Sequence, residues 1–550
     1  MNVKYRTPGS NDWVNVKILS RAGKATGKYG NWLNMKRLDN DVEYNLDWKN
    51  EISEWEPVPH NVLMAQVKED KFEDARMKEL ENWRKMKVYE VVEDQGQPAI
   101  SVRWVYKEKV DESGSMKKAR LVARGYEELN DNILTDSPTC NKDSLRVVIS
   151  IIASKEWAVN SLDIKAAFLQ GKELDREIYL KPPKEAKDKG KLWKLHRCVY
   201  GLNDASRYWY MRVKEELNKS GCKNSKADPS VFYYFTNELE GVLIIHVDDF
   251  MYSGTDKFHA IVIQHLKTTF KISKESCSPF KYVGIDIFQD EHGLYLSQES
   301  YAKELDKINI EIAKDEEKSR PVTDKEKTLF RKLLGRLNWL STQTRPDIAY
   351  EVSVLSSNVK NATVRDLIEA NKLLKKCQIK NFALFYPKLD LDNLKICCYA
   401  DASYGKLKEG GSQGGMFVEL VSDDKTSPIM WQSKKIHRVV NNVMAAETLA
   451  MVNALDESYL ISNLVSELLY QNTKIIPIEA KTDSEALYES AYSTKSLEDR
   501  RLRIDMSILR EYVVKEKCKI TWVPTNDQLA DVLTKKGVDD SKLISHISVL

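Results

Sequence analysis

Two segments of the chain place aspartate at the end of an apolar stretch, and this pattern is the strongest constraint on fold and chemistry. Residues 243–247 lead into the adjacent pair Asp248 and Asp249, and Leu162 leads into Asp163. Neighbouring carboxylates repel each other and resist desolvation, so this placement requires compensation. The three aspartates together predict a site for two Mg²⁺ ions about 3.5–4 Å apart. Taken alone, the pair also fits a solvated hairpin turn, because aspartate is common in turns.

Length and composition narrow the class of protein. The 550 residues exceed one ordinary domain and predict roughly three to five units. The net charge of +3 is a weak signal, because a nucleic-acid binder needs only a basic groove. No apolar run approaches the roughly 18 residues of a membrane span, and the first ten residues are too polar for a signal peptide. The eight cysteines lack CxxC spacing, which favours reduced thiols in an intracellular protein over a zinc site or a disulfide framework.

Periodicity divides the chain into regions of different character. Apolar and polar residues alternate between turn signals before the Pro57–Pro59 boundary, which predicts a small β unit. Residues 101–124 are predicted to form a β-hairpin whose second strand is basic. Strand and helix patterns alternate from 140 to 300. Apolar residues recur at helical spacing in four further stretches: 62–88, 324–377, 443–468 and 496–515. Strand patterns return at residue 394.

A second set of carboxylates lies in the last third of the chain. Asp401 follows an apolar strand, Glu447 lies on the helical stretch 443–460, and Asp483 follows the run 475–478. Asp531 is expected to open a final helix. Each residue alone reads as a surface acid, and the four can converge only through tertiary folding. If they converge, they provide a second site for two metal ions.

The surroundings of these carboxylates resemble the reverse transcriptase and ribonuclease H portions of copia-type LTR retrotransposon Pol polyproteins. The similar motifs occur in the family's order: Lys118–Gly125, Asp163–Phe168, Val199–Tyr210, Val247–Asp249, Tyr282–Ile287, Gly335–Leu340 with Thr344–Asp347, and the four acidic segments of the last third. The resemblance implies an α/β and α+β multidomain fold, a fingers-palm-thumb polymerase followed by an α/β ribonuclease H-like domain. It divides the chain into an integrase-tail-like β segment 1–59, fingers, palm and thumb 60–300, a helical connection 301–390 and a ribonuclease H-like domain 391–550.

The resemblance also implies residue roles and partners. One set of carboxylates would hold catalytic metal for DNA synthesis and the other for RNA cleavage: Asp163, Asp248 and Asp249, then Asp401, Glu447, Asp483 and Asp531. Lys118, Arg120 and Arg124 would grip the incoming triphosphate, unless they form a solvated basic strand. Phe168 would exclude the ribose 2′-hydroxyl, unless it is an ordinary core aromatic. The implied cofactor is Mg²⁺, two per site, with Mn²⁺ possible; the implied partners are an RNA template, a DNA primer, dNTPs and the RNA–DNA hybrid, with no membrane.

Further basic and aromatic residues are candidates for contact with the hybrid. Lys434, Lys435, Arg438 and Trp522 could touch its backbone, which proteins read by shape and charge. Ordinary solvated surface is an equally good interpretation of these four residues.

One departure from the family pattern bears on activity. Asp204 occupies a position where many relatives carry glutamine, and an acidic group there would repel a triphosphate unless it pairs with Arg207 or a metal. Integrase-core, protease and zinc-knuckle motifs are not found, so the chain is expected to be a truncated reading frame. Three hypotheses follow: an active polymerase-nuclease, a catalytically idle relic or co-opted nucleic-acid-binding protein, and a DNA-templated polymerase. The compartment, cytoplasmic virus-like particle or nucleus, and the oligomeric state stay open.

Overall fold

The structure is a computed structural model. It describes five strands within residues 1–71 and then residues 72–111, 114–128, 133–310, 318–379, 382–515 and 517–548. The chain forms two compact units, one of Met1–Ile133 with Glu173–Ala205 and the other of Leu134–Lys172 with Ser206–Leu550.

The elements follow one another in chain order. The strands are β1 Asn2–Arg6, β2 Val14–Ala22, β3 Trp32–Arg37, β4 Glu43–Asp47, β5 Glu54–Pro57, β6 Tyr89–Glu93, β7 Val102–Asp111, β8 Gly114–Ala123, β9 Asn160–Ile164, β10 Tyr179–Leu180, β11 Lys191–Leu195, β12 Lys223–Asn224, β13 Val231–Phe235, β14 Leu239–His246, β15 Asp249–Gly254, β16 Ile272–Cys277, β17 Phe280–Tyr282, β18 Ile285–Gln289, β19 Gly293–Ser297, β20 Ala383–Pro387, β21 Lys395–Ser403, β22 Ser412–Ser422, β23 Lys425–Ile436, β24 Ile478–Thr482 and β25 Cys518–Trp522. The helices are α1 Glu73–Lys85, α2 Lys142–Ser154, α3 Ala205–Lys219, α4 Asp256–Phe258, α5 Gln264–Thr269, α6 Glu299–Lys303, α7 Asp324–Gln343, α8 Ala349–Ser357, α9 Val364–Ile379, α10 Val443–Tyr470, α11 Glu485–Tyr492, α12 Arg500–Val514 and α13 Ser541–Ile547.

The first unit contains two sheets and a separate hairpin. The amino-terminal strands form an antiparallel sheet in the order β4-β3-β2-β1-β5, in agreement with the predicted small β unit. The resemblance of the first segment to an integrase tail rests on residues 20–29, of which 23–29 lie outside the described residues. A second sheet has the order β10-β11-β6, and β7 pairs with β8 as the predicted hairpin. The predicted helix 62–88 is α1, Glu73–Lys85, and its residues 62–71 lie outside the described part.

The second unit begins with a six-stranded sheet in the order β12-β13-β14-β15-β9-β16. Its strands alternate apolar residues toward a core that includes Leu162, Leu243 and Phe250, all at most 2% exposed. A four-stranded sheet follows, in the order β17-β18-β19-β20. Strand β20, which pairs with β19, lies within the segment 301–390 that was predicted to be helical. Its alternating burial is typical of a strand, so the helical assignment is wrong for residues 383–387.

The predicted helical stretch 324–377 is confirmed as α7, α8 and α9. Helix α7 begins at a capping box, in which Thr323 and Glu326 satisfy each other's backbone N–H groups. The apolar face predicted for this helix, including Phe330, Leu333 and Leu337, is buried in a helical core.

The last part of the second unit is a five-stranded sheet with helices. Its order is β23-β22-β21-β24-β25, antiparallel on the β22 side of β21 and parallel between β21, β24 and β25. Helix α10 packs on β21. In sequence, α11 and α12 lie between the parallel strands β24 and β25. This is the α/β arrangement expected for the region, and α11 is an additional helix that the sequence patterns missed.

Helix α2 is buried together with this sheet. The apolar α2 side chains from Val147 to Ile152 share one core with residues of β19, β20, β21 and α10. The buried Arg146 side chain donates to the carbonyls of Thr342, Gln343 and Ile429, at 2.5, 2.8 and 3.0 Å. The guanidinium also lies 3.8 Å from the ring centroid of Trp431. A single arginine thus joins α2, the end of α7 and strand β23.

Within the described ranges, no helix combines the length and the apolar character that crossing a membrane requires. All eight cysteines are free thiols.

Candidate active sites

The first set of aspartates meets where two neighbouring interior strands of the six-stranded sheet end. Strands β9 and β15 are antiparallel neighbours, and Asp163 is the direct cross-strand partner of Asp249. Directly opposed residues have Cβ atoms about 4.5–5.5 Å apart and point to the same face, so the two carboxylates are neighbours. Asp248 lies in the β14–β15 turn, and its carbonyl accepts a hydrogen bond of 2.9 Å from the N–H of Ile164. The structure therefore places the backbones of all three aspartates next to one another.

The turn that carries these aspartates has an unusual backbone. Val247 has a φ of +58°, a conformation that β-branched residues rarely adopt. The indole N–H of Trp209 holds it by donating to the carbonyl of Val247 at 2.6 Å. Such strain persists only where the surroundings fix it, and it is concentrated at functional sites.

The environment of this site contains cations as well as acids. A cavity of about 180 Å³ lies against Asp163 and Asp249 and is also lined by Lys274 and Lys281. The hydroxyl of Ser273 donates to Oδ2 of Asp163. No group of three metal-ligating side chains with atoms within 4.8 Å of one another includes these aspartates in the described part of the chain. The three are adjacent through the backbone, and their side chains are not gathered as tightly as those of the second site.

Phe168 lies five residues after Asp163, in the short 3₁₀ turn Ala167–Gln170. Its ring is half-buried and packs against the core under the six-stranded sheet. This position agrees with both interpretations of the residue, a wall beside the aspartates and a core aromatic.

Two of the three cations predicted to grip a triphosphate, Lys118 and Arg120, share one face of the β7–β8 hairpin. Ala119, Leu121 and Ala123 are buried, whereas Lys118 and Arg120 on the alternate positions are exposed. The hairpin belongs to the first unit, and the aspartates belong to the second. The guanidinium of Arg120 lies 5.1 Å from the ring centroid of Tyr200.

Arg124 follows directly after β8 and contacts two neighbouring side chains. Its Nη1 atom is 3.3 Å from the Ser101 hydroxyl and 3.8 Å from Oε1 of Glu127.

Asp204 pairs with a cation that the sequence did not single out. Nη1 of Arg176 lies 2.6 Å from Oδ2 of Asp204, and Nε of Arg176 lies 2.8 Å from Glu128. Asp204 is only 1% exposed, and the Cys198 thiol donates to its other oxygen at 3.7 Å. Arg207, considered from the sequence as one possible partner of Asp204, binds Asp136 at 2.5 Å instead. The carboxylate of Asp204 is buried and neutralised, so its charge is not presented to a nucleotide.

Replacing Arg176 with methionine is expected to lower the free energy of unfolding by about 3 kcal/mol, since it leaves the buried Asp204 carboxylate without its cation. Urea unfolding monitored by tryptophan fluorescence measures this. The exposed Arg103 on β7 provides the control, and Arg103→Met is expected to change stability by less than about 0.5 kcal/mol. Adding Asp204→Asn to Arg176→Met should recover part of the loss; an unchanged loss in the double variant would contradict the pairing.

The second set of carboxylates converges at the carboxyl ends of two parallel strands. Tyr399 and Lys481 are register partners on β21 and β24, so Asp401 and Asp483, each two residues further on, reach the same level. Asp531 comes from the 3₁₀ turn Leu529–Leu533 after β25. Asp401, Asp483 and Asp531 place ligand atoms within 4.8 Å of one another. Asp531 therefore joins the set, although the expectation that it opens a helix is wrong; it lies inside a short 3₁₀ turn.

Glu447 completes the set from the first turns of α10. Asn442 caps this helix by accepting a hydrogen bond from the N–H of Ala445. Burial, together with the charges of Asp401 and Asp483, raises the pKa of Glu447 well above its usual range. Burial and the charges of Asp401 and Asp483 likewise raise the pKa of Asp531, although Lys535 opposes the shift.

The residues of the second site fit divalent metal. Oε2 of Glu447 is buried and has no hydrogen-bond partner among the described residues. A buried carboxylate oxygen without a donor is costly unless a cation completes it. Carboxylate oxygens are the ligands that Mg²⁺ and Mn²⁺ prefer. The donor set therefore suits a hard divalent ion.

Three neighbours of this site were missed from the sequence. The Thr534 hydroxyl donates to Oδ2 of Asp401, and Lys535 contacts both Asp401 and Asp531. Gly415 is the cross-strand partner of Asp401, and a Cβ atom there would lie 2.6 Å from Thr534 and 2.8 Å from Leu533. Glycine thus lets the turn carrying Asp531 approach the strand carrying Asp401. Only the proximity of Thr534 and Lys535 to Asp531 in sequence could have indicated them.

The residues considered for hybrid contact have different surroundings. Lys434 and Lys435 line a cavity of about 370 Å³ with Arg438, beside the site strand β22. Arg438 is also bound to Asp505 of α12 at 2.8 Å. Trp522 is 46% exposed, and its indole N–H donates to the carbonyl of Asp483 at 3.2 Å. Trp522 therefore presents an aromatic surface next to a site carboxylate.

The comparisons with known proteins define the class. Residues 86–323 match the family described as reverse transcriptase (RNA-dependent DNA polymerase). The chain is 30% identical over 458 residues to the retrovirus-related Pol polyprotein from transposon RE1 of Arabidopsis thaliana, across 79% of this chain and 30% of that protein. It is 27% identical over 515 residues to the corresponding polyprotein from transposon TNT 1-94 of Nicotiana tabacum, across 87% of this chain and 38% of that protein. The predicted resemblance to copia-type Pol polyproteins is confirmed, and the chain spans about a third of the length of these relatives.

One solved structure is similar over nearly the whole chain. The foamy viral protease-reverse transcriptase in complex with RNA/DNA hybrid aligns with 98% of this chain and 78% of its own, at a TM-score of 0.47 and 11% identity.

Proposed function

We propose that the chain is an RNA-directed DNA polymerase with ribonuclease H activity, which copies retrotransposon RNA into DNA and removes the copied RNA. The observation that carries the proposal is the pairing of Asp163 with Asp249 across β9 and β15, beside Asp248, within the region that matches the reverse transcriptase family. The convergence of four carboxylates in the last third supports the second activity.

In the proposed polymerase, residues of the chain would bind the metal ions and the triphosphate. Asp163, Asp248 and Asp249 would hold two Mg²⁺ ions, or Mn²⁺, which activate the attacking 3′-hydroxyl and stabilise the leaving pyrophosphate when bound. Lys118 and Arg120 on β8, with Arg124 directly after it, are the fixed cations that would bind a triphosphate. The strained backbone at Val247, to which Trp209 donates a hydrogen bond, would hold the aspartate pair in the β14–β15 turn.

In the nuclease, Asp401, Glu447, Asp483 and Asp531 would hold the metal that activates water for hydrolysis of the RNA backbone. Proteins recognise the backbone of an RNA–DNA hybrid by its shape and charge. Lys434, Lys435 and the exposed face of Trp522 are available for this contact. The partners are an RNA template, a DNA primer, dNTPs and the RNA–DNA hybrid. We further propose the four-part division at residues 59, 300 and 390 and an intracellular location, either cytoplasmic or nuclear.

Primer extension on an RNA template with Mg²⁺ tests the polymerase. The wild-type chain is expected to extend a DNA primer. Asp248→Asn is expected to reduce extension at least about 10³-fold, because it removes a charged metal ligand while the side chain keeps its size. The exposed Asp256 on α4 provides the matched control Asp256→Asn, which should extend like the wild type. No DNA synthesis by folded wild-type protein would favour the catalytically idle relic or co-opted binding protein. Extension on DNA but not on RNA templates would favour a DNA-templated polymerase.

Replacing Phe168 with alanine tests its role as a steric gate. The variant is expected to incorporate ribonucleotides at least about tenfold more readily relative to deoxyribonucleotides, since it removes the wall against the 2′-hydroxyl. The ratio of the two kcat/KM values in single-nucleotide extension measures this. Phe168→Tyr, which keeps the ring, should keep the ratio. A stability loss with an unchanged ratio would identify Phe168 as a core aromatic only.

A further inference from the structure

Lys535 lies among the carboxylates of the candidate nuclease site. Its Nζ atom is 2.6 Å from Oδ1 of Asp531 and 3.4 Å from Oδ1 of Asp401. Both aspartates belong to the group whose oxygens lie within 4.8 Å of one another. The ammonium group therefore contacts two of the carboxylates that a metal would use.

The backbone determines where this lysine starts, and its side chain stays movable. The N–H of Lys535 donates to the carbonyl of Asp531 at 3.0 Å, so the backbone of Lys535 lies one turn after the aspartate. The adjoining Thr534 is anchored, with its hydroxyl on Asp401 and its backbone N–H on Asp531. The Lys535 side chain is 30% exposed, so it has a route to solvent. A long, flexible stem allows the ammonium to move without a change in the fold.

The charge balance of the site changes with its occupants. Four carboxyl groups converge here, and one buried oxygen of Glu447 has no donor among the described residues. A single ammonium reduces the repulsion between Asp401 and Asp531 but supplies only one positive charge. Two divalent ions supply four, and they would repel an ammonium a few ångströms away. The lysine and the metal therefore exclude each other electrostatically.

We infer that Lys535 is a built-in counter-ion of the nuclease site, which binds Asp401 and Asp531 in the metal-free chain and is displaced when divalent metal binds. Lys535 is thus a positioning residue: it keeps the carboxylates together before metal arrives and lowers the affinity of the site for metal. This inference rests on the proposed nuclease function, because it assumes that the carboxylates take divalent ions.

Metal binding and metal-free stability test the inference without any activity assay. The full chain carrying Asp248→Asn, which weakens metal binding at the polymerase site, is compared with and without Lys535→Met. Free Mn²⁺ measured by electron paramagnetic resonance is expected to give a Kd about five- to tenfold lower in the Lys535→Met protein, since the competing charge is gone. In EDTA, the same protein is expected to melt several degrees lower than its parent, since Asp401 and Asp531 then repel without compensation.

Two further variants serve as controls. Lys536→Met removes the same charge from the neighbouring exposed position and should leave both the Kd and the melting temperature near those of the parent. Lys535→Arg keeps a cation and should restore both values toward the parent. Lys535→Gln is a neutral variant that retains a hydrogen-bond donor, and it should bind Mn²⁺ more tightly than the parent even if Lys535→Met folds poorly.

The outcomes separate this inference from the proposed function. An unchanged or higher Kd for both neutral variants would overturn the counter-ion role, as would a Lys535→Met melting temperature in EDTA equal to that of Lys536→Met. Neither result would affect the nuclease proposal. A wild-type chain that does not cleave the RNA strand of a hybrid with Mg²⁺ would refute that proposal and leave the Mn²⁺ comparison valid.

Discussion

Replacing Asp401 with asparagine is expected to slow cleavage of the RNA strand of a hybrid by at least about 10³-fold, since each 1.4 kcal/mol of lost transition-state stabilisation costs tenfold and a metal supplies several kcal/mol. Asp401 is 1% exposed and belongs to the group of three aspartates with oxygens within 4.8 Å. Asparagine has the same shape and lacks the charge that holds metal. Gel analysis of a hybrid with labelled RNA and excess Mg²⁺ measures the rate.

The stability of the same variant separates catalysis from folding. Asp401 faces Glu447, Asp483 and Asp531, so removing its charge relieves repulsion in the metal-free chain. In EDTA, Asp401→Asn is therefore expected to melt no lower than the wild type. The exposed Asp424 provides the control Asp424→Asn, which should cleave at the wild-type rate. A variant that still cleaves within tenfold of the wild type would show that Asp401 does not hold the catalytic metal.

Replacing Arg146 with methionine is expected to lower the free energy of unfolding by about 3–5 kcal/mol, the usual cost of removing one partner of a buried charged network. Arg146 is 1% exposed and binds Asp143 at 3.0 Å as well as three carbonyls. Methionine fills the volume and supplies no donors, so these carbonyls and the Asp143 carboxylate lose their partner. The urea midpoint of the full chain measures the loss.

A matched variant and a rescue test the role of Arg146. Arg365 lies exposed on α9, and Arg365→Met should change the midpoint little. Because α2 shares its core with the carboxyl-terminal sheet, both are expected to unfold in the same transition. Adding Asp143→Asn to Arg146→Met should recover part of the stability. Equal midpoints for Arg146→Met and Arg365→Met would contradict the joining role of this arginine.

The sequence predicted individual helices and strands better than the short segments whose structure depends on tertiary contacts. Local patterns were sufficient for the β7–β8 hairpin, for α7 to α9 and for the strands that carry the two acid sets, because alternation and helical spacing are local properties. Strand β20 was missed because its five residues follow a long helical pattern, and its partner β19 lies some ninety residues earlier. The helix expected at Asp531 was wrong because the turn is tied to β21 and β22 by tertiary contacts through Gly415.

The partners of buried charges could not be read from the sequence. Asp204 was expected to need Arg207 or metal, whereas Arg176, 28 positions earlier, provides the cation. Arg146 and Lys535 are ordinary basic residues in the sequence, and only folding places one against three carbonyls and the other against two carboxylates. Motifs identify the residues that carry charge, and distant pairing decides which of those charges are free to act.

One experiment that follows both activities in the same tube tests the two-site account most directly. The wild type, Asp248→Asn and Asp401→Asn are each incubated with an RNA template, a labelled DNA primer and a differently labelled RNA strand, with dNTPs and Mg²⁺. We expect Asp248→Asn to cleave RNA without extending the primer, and Asp401→Asn to extend the primer without cleaving RNA. If both variants match the wild type in extension and in cleavage, the two acidic clusters do not carry the chemistry assigned to them.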